Sequence, residues 1–378
     1  MIMNYYRQSV LHINLDDLYD NYAAVARLHP DKKTIAVIKA NAYGMGAVTV
    51  AEHLRKQGVD FFAVATLDEA LELRKNDITA HILVLGVIRP EDVKRAAVSN
   101  IAVTLPDEAW LTEAIQHLDR TLTVHVKLDT GMNRIGIRDK EEYGRVLVRI
   151  KQSELLDFEG VYTHFSCADM DNDSAEQAHE TFMEIVNAYD KPRYIHSQNS
   201  AAALRYEMAD CTAVRLGIAM YGYYPSPFIK TLTDINLKPV MKLTSEINFI
   251  KDVPAGTKIG YGSHYEAEQN ERIATLPIGY ADGLLRSMSG YSVSVAGEDA
   301  PIVGRVCMDQ TMIRVSDQVK LGDEVLIIDN KMNTHQSMEV AEKKQSTISY
   351  EVLCNLGQRL PRVYYTDNQS TAKNTLLK

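Results

Sequence analysis

Residues 34–65 read TIAVIKANAYGMGAVTVAEHLRKQGVDFFAVA. The run from Thr34 to Ile38 is rich in β-branched residues and has the pattern of a fully buried strand. Asn41, Gly44 and Gly46 then interrupt regular structure. Residues 50–58, VAEHLRKQG, carry the spacing of an amphipathic helix, and residues 61–65, FFAVA, are apolar again. A buried strand, a loop, a helix and a second buried strand make one unit of a parallel sheet with a crossover helix. Lys39 ends the first strand inside a glycine-containing loop. An amine placed there serves chemistry or is a plain surface charge, and spacing alone does not decide between them.

Outward from this stretch the same unit recurs. Buried-strand patterns cover 34–38, 61–65, 81–85, 101–105, 122–128, 158–163, 193–197 and 213–216, with helical patterns between them, such as 106–118 and 174–189. Pro106 followed by Asp107 and Glu108 is a helix start. Eight such units favour a closed (β/α)8 barrel over an open doubly wound sheet. Near residue 225 the character changes. Prolines cluster, and short alternating runs follow at 241–250, 272–278, 292–297 and 307–315, which read as an antiparallel β domain. The expected division is a barrel over 1–236 and a mainly-β domain over 237–378, with the last dozen residues a loose polar tail.

The composition is ordinary for a soluble globular protein. Of 378 residues, 46% are apolar and 24% charged, and the net charge of −9 argues against a broad nucleic-acid footprint. Cys167, Cys211, Cys307 and Cys354 show neither C-x-x-C nor zinc-finger spacing, which suits a reducing compartment. His12, His29, His53, His117 and His335 show no ligand spacing, so no metal is expected. The opening residues lack the apolar core of a signal peptide, and no apolar run is long enough for a bilayer. The expectation is a cytoplasmic protein without a membrane partner.

Barrel enzymes place their chemistry at the carboxyl ends of the strands. Lys39 ends the first strand, Lys127 and Asp129 the fifth, His164 the sixth. His196 and Ser200 follow the seventh, and Arg215 ends the eighth. Polar residues do collect where strands become loops, but the opposite ends of these strands are poorer in such groups. The loops after strands seven and eight are the usual barrel phosphate site, and here they offer the Ser200 hydroxyl and the amides around Gly217 and Ile218. A phosphate site beside a strand-end amine points to pyridoxal phosphate held by Lys39 as a Schiff base. The triplet DTG at 129–131 occurs once and inside a βα domain, so an aspartic-protease reading fails and Asp129 supports its loop. AYGMGAV holds only part of a dinucleotide fingerprint.

The stretch AVIKANAYGMG resembles the cofactor-attachment motif of alanine racemases. The resemblance continues, in order, through VKLDTGMNRIG, THFS, HSQNSAA, RLGIAMYG, GYGSHY, PIGYADGLLR, PIVGRVCMDQTMI and SYEVLCNLGQRLPR. It implies a (β/α)8 barrel followed by a β domain. It further implies that Lys39 binds pyridoxal 5′-phosphate, that Tyr43, Ser200, Gly217, Ile218 and Tyr350 cradle its phosphate, that Arg215 is the partner of its pyridine nitrogen, and that His164 belongs to the cofactor site and with Arg215 lowers the pKa of the catalytic tyrosine through a hydrogen-bonded chain. By the same resemblance Tyr261 is a second catalytic base and Arg134 and the Met308 amide bind substrate. Lys127 matches a lysine that the family carries as a carbamate; the alternative is a plain buried lysine paired with Asp129. The implied assembly is a head-to-tail homodimer with shared sites, and the implied reaction is racemisation of alanine, supplying D-alanine for peptidoglycan. A serine or broad-specificity racemase is the nearest alternative, although Tyr261, Tyr280 and Tyr350 would narrow the entrance. A related decarboxylase would need an acidic partner for the pyridine nitrogen, where this chain has Arg215.

Overall fold

The computed structural model describes residues 5–367 and 369–377. Two compact units make up the chain. One comprises Tyr19–Ala42 and Gly46–Leu237, the other Met1–Leu18, Tyr43–Met45 and Lys238–Lys378. This differs from a single cut near 236 in two places, and strand pairing gives the reason for the first. Strand β1 (Val10–Asn14) lies between Met241–Glu246, to which it is antiparallel, and Arg362–Thr366, to which it is parallel. Its inward residues Leu11 and Ile13 are fully buried there.

The first unit carries eight parallel strands: β2 (Lys33–Val37), β3 (Phe61–Val64), β4 (His81–Val84), β5 (Ala102–Leu105), β6 (Leu122–Lys127), β7 (Leu156–Tyr162), β8 (Tyr194–His196) and β9 (Ala213–Leu216). They pair in the order β8-β7-β6-β5-β4-β3-β2-β9. The Thr212 amide donates to the Ile195 carbonyl at 2.9 Å and the Arg215 amide to Gln198 at 3.0 Å, which brings the sheet's two ends together as a nearly closed barrel. Each strand falls within a residue or two of its predicted span, because burial on both faces leaves near-continuous apolar runs in the sequence.

The crossover helices start where capping chemistry dictates. The Asp107 carboxylate accepts the Trp110 amide at 2.7 Å and opens the helix Glu108–Gln116. Thr66 and Glu69 form a reciprocal capping box ahead of Leu67–Lys75. The helix predicted at 50–58 begins earlier, at Ala47, and ends at Lys56.

The second unit holds a seven-stranded sheet, a three-stranded sheet and a short hairpin. The run 241–250 is not one strand. It divides into Met241–Glu246 and Phe249–Val253, which belong to different sheets. The loose tail is also corrected: Gln369–Lys373 is an edge strand paired antiparallel with Arg362–Thr366. Its exposed, polar composition hid it, since backbone pairing rather than burial holds it.

Candidate active site

Strand β2 ends at Val37, and the chain then enters a turn of the wrong hand. Ala40, Asn41, Ala42 and Tyr43 all have φ between 51° and 54°. Left-handed helical conformation costs non-glycine residues roughly 1–2 kcal/mol each, so such a run persists only where surroundings hold it. Here the Ala42 amide donates to the Ile38 carbonyl at 2.8 Å, Gly46 to Asn41 at 2.8 Å, and the Asn41 side chain accepts the Ala47 amide at 2.8 Å. The Glu69 carboxylate accepts the Ala40 amide at 2.6 Å. Lys39 stands at the start of this turn, half-buried.

Where the ring closes, beside β2, Ser200 opens the short helix Ser200–Arg205, which Asn199 caps. The Ser200 hydroxyl oxygen accepts the Gly217 amide at 2.9 Å and the Ala219 amide at 3.5 Å. The loops after β8 and β9 thus meet as predicted, with Ile218 beginning the 3₁₀ turn that follows Gly217.

Arg215 is 3% exposed and points into the barrel. Its Nη1 donates to His196 Nδ1 at 2.9 Å and to the His196 carbonyl at 2.8 Å. Its Nη2 donates to the carbonyls of Thr163 at 2.8 Å and Ser197 at 3.1 Å, and faces His164 Nδ1 at 3.4 Å. Burial brings the guanidinium down to about 10, which still leaves it charged at neutral pH. His164 is held well below the usual histidine range by burial, then by the charges of Arg215, Arg134, Lys39 and Lys127. It is therefore neutral and able to accept from Arg215. The Tyr162 ring lies parallel to that of His196, with centroids 4.9 Å apart, and both Lys127 Nζ and the Arg215 guanidinium carbon lie over it, at 5.6 and 5.4 Å. The ring's quadrupole partly compensates both cations.

Lys127 is 2% exposed. Burial lowers it to about 8, Asp129 opposing and Arg215 and Arg134 adding to the fall. Its amine donates to the Leu128 carbonyl at 2.5 Å. Asp129 accepts the amides of Gly131 and Asn133 at 3.3 and 2.9 Å and so supports the DTG loop, as its sequence suggested. Arg134 is exposed on the same loop.

In the second unit Tyr43 and Tyr350 face each other with ring centroids 6.1 Å apart. Arg362 Nε and the Tyr364 hydroxyl donate to the Gly44 and Met45 carbonyls, both at 2.8 Å, and so tie residues 43–45 into this unit. Tyr261 occupies a 3₁₀ turn flanked by Gly260 and Gly262, both at positive φ, and is 71% exposed. Met308 is 53% exposed. Its carbonyl and that of Cys307 accept the amides of Ala281 and Tyr280, and a Cβ on Gly279 would stand 2.4 Å from the Met308 carbonyl oxygen.

Sequence reasoning missed the polar layer inside the barrel. His81, His125 and Glu159 meet there: Glu159 Oε2 lies 2.6 Å from His81 Nε2 and 3.0 Å from His125 Nε2. Burial pushes the Glu159 carboxyl up, and the hydrogen bonds of His125 and His81 outweigh it and bring it down to about 2. A Cβ on Gly160 would lie 2.3 Å from His125 Nδ1, so only glycine leaves room for that ring. The available signal was a histidine or glutamate inside an apolar strand, in VHVK and FEG.

Residues 13–225 match the family model of the alanine racemase N-terminal domain and residues 240–364 that of its C-terminal domain. The chain is 48% identical over 377 residues to the alanine racemase of Macrococcus caseolyticus, covering 99% of each chain. It is 47% identical to that of Staphylococcus epidermidis over the full length of both. The crystal structure of the Bacillus anthracis alanine racemase with bound L-Ala-P superposes with a TM-score of 0.94 at 38% identity, covering 98% of this chain and 99% of that one.

Proposed function

This chain belongs to the alanine racemase family, and we propose that it interconverts L-alanine and D-alanine with pyridoxal 5′-phosphate as cofactor. The observation that carries the cofactor is the Arg215 guanidinium. The four N–H groups on Nη1 and Nη2 are taken by the protein. Among the described residues the fifth, on Nε, has no acceptor. A permanently charged donor suits an acceptor without a proton, and an unprotonated pyridine nitrogen is one. The remaining donors fit the rest of the group. Lys39 would hold it, His164 and Arg215 would flank the ring, and Tyr43, Ser200, Gly217, Ile218 and Tyr350 would take the phosphate. When bound, the cofactor withdraws electrons from the substrate α-carbon and makes its C–H acidic.

Racemisation takes the α-proton from one face and returns it to the other. Two bases on opposite faces do this without either having to move, and Lys39 and Tyr261 are assigned to them. Lysine and tyrosine titrate near ~10.4 and ~10 when free, so both depend on nearby charge to act at neutral pH. The Arg134 guanidinium and the Met308 amide bind the substrate carboxylate. Lys127 supports them as a carbamate: its neutral amine adds to carbon dioxide and releases one proton, leaving an anion that holds Arg134. A Lys127 amine near 8 is about one-tenth neutral at pH 7, whereas an ordinary lysine is neutral at well under one part in a thousand.

Tyr261 and Met308 stand exposed on the second unit. That exposure supports an assembly in which a second copy covers them, a head-to-tail homodimer with two shared sites. Among the described residues no helix is long and apolar enough to cross a membrane. We place the enzyme in the cytoplasm, where its D-alanine feeds peptidoglycan synthesis. Incubation of the purified protein with L-alanine and, separately, L-serine, followed by chiral analysis, tests the reading. D-alanine formed well ahead of D-serine is expected, and absence of D-alanine would refute it.

A further inference from the structure

Among the described residues Arg215 is a buried cation with no carboxylate among its hydrogen-bond partners; those partners are carbonyls and ring nitrogens. Following the bonds away from it leads to one. His196 Nε2 lies 2.9 Å from His125 Nδ1, and His125 Nε2 lies 3.0 Å from Glu159 Oε2. The direction of each bond is fixed by chemistry alone. A guanidinium only donates, so His196 Nδ1 accepts and carries no proton. The His196 proton is then on Nε2 and is donated to His125 Nδ1, which is bare in turn. The His125 proton is on Nε2 and is donated to the carboxylate. Both rings are neutral, each in the same tautomer, and the chain runs one way from cation to anion.

We propose that Glu159, His125 and His196 are positioning residues for Arg215, forming a one-way hydrogen-bond relay that supplies its buried charge with a remote anion and holds its Nε–H in place. The relay starts in the layer of the barrel where Phe61, His81, His125 and Tyr194 pack ring against ring, with Phe61 4.3 Å from His81 and 5.3 Å from Tyr194. That packing fixes His125, and the stacked Tyr162 fixes His196. Tyr162 is itself held, its hydroxyl 2.6 Å from the Thr104 hydroxyl and donating to the Leu85 carbonyl at 3.2 Å. None of the three relay residues needs to touch substrate. The functional consequence rests on the cofactor reading given above; the relay itself does not.

The same atoms invite a second reading, because His81, His125 and Glu159 are two imidazoles and a carboxylate with donor atoms all within 4.8 Å. Such a set suits a divalent transition metal. Ligation requires a lone pair on His125 Nε2, however, and the relay places a proton there. Moving that proton to Nδ1 would set it against the Nε2–H of His196, which cannot turn its own proton toward Arg215. The cluster is therefore the end of the relay and no metal site.

Histidine-selective ¹⁵N NMR of the holoenzyme tests this without turnover, with His125→Gln and His196→Gln used for assignment. The relay predicts a protonated Nε2 and a bare Nδ1 in both rings, unchanged by a stoichiometric addition of Zn²⁺. A proton on Nδ1 of either ring, or zinc uptake that removes the His125 Nε2 proton, overturns it. Glu159→Leu should lower kcat for L-alanine roughly tenfold, about 1.4 kcal/mol of barrier, with KM unchanged, and Glu159→Asp should restore part of it. An unchanged kcat in Glu159→Leu overturns the positioning role. The predicted tautomers in a protein that does not racemise alanine would leave the relay standing and refute the cofactor reading instead.

Discussion

At the scale of single residues, Glu159 is where charge and stability meet. Its carboxyl is ordinarily near 4.5 and falls to about 2 in the fold, where His125 and His81 donate to it. Below pH 4.5 the unfolded chain takes up a proton there that the folded chain refuses until about pH 2. Stability from this group is therefore fully present above pH 4.5 and is lost as pH falls toward 2. A shift of this size is worth about 3 kcal/mol at most. Urea unfolding at pH 7, 4 and 3 should show Glu159→Gln less stable than wild type at pH 7 and the gap narrowed, though still open, at pH 3; a gap that widens on acidification would contradict the assignment. Lys39, His164, Ser200 and Arg215 were legible because strand ends in a barrel announce themselves. His196 was read at its strand end as well; His125 and Glu159 were not, because a strand pattern is read from its apolar majority, and they meet His196 only once the barrel closes.

At the scale of elements, the βα repeats were legible nearly to the residue, since burial on both faces writes itself into the sequence. Backbone conformation was not. Nothing in KANAY foretells four left-handed residues in a row, because alanine ordinarily avoids that region. Nor did alternation reveal that Ile247 and Asn248 turn the chain between two sheets, or that QSTAK pairs as an edge. The glycine after the left-handed turn makes a sharp prediction. Gly44 has φ 82°, and a Cβ there would lie 2.6 Å from the Leu353 carbonyl oxygen. Backbone on both sides leaves little room to yield. Gly44→Ala should cost on the order of 2–4 kcal/mol, from strain and overlap together. Calorimetry of the variant checks it, and a melting temperature equal to wild type would show that the turn is softer than its geometry.

At the scale of the whole molecule, the proposed shared site calls for two copies. Lys39 belongs to the barrel unit, and Tyr261 and Met308 to the other, where both are exposed. If sites are shared, Lys39→Ala and Tyr261→Ala homodimers are each nearly inactive, yet mixed dimers regain one intact site. An equal random mixture should approach about a quarter of wild-type activity, since about half the dimers are mixed and each has one good site. Mixed dimers without recovered activity would place Tyr261 in the same site as its own Lys39. The two bases themselves are tested most directly by deuterium. In D2O the wild-type enzyme should convert L-alanine to D-alanine bearing deuterium at the α-carbon. Tyr261→Phe leaves one base on one face, so racemisation should fall by roughly a thousandfold or more. One enantiomer, and not the other, should still exchange its α-proton with its configuration kept. Racemisation by Tyr261→Phe at the wild-type rate, or equal exchange of both enantiomers, would contradict a mechanism with Lys39 and Tyr261 on opposite faces.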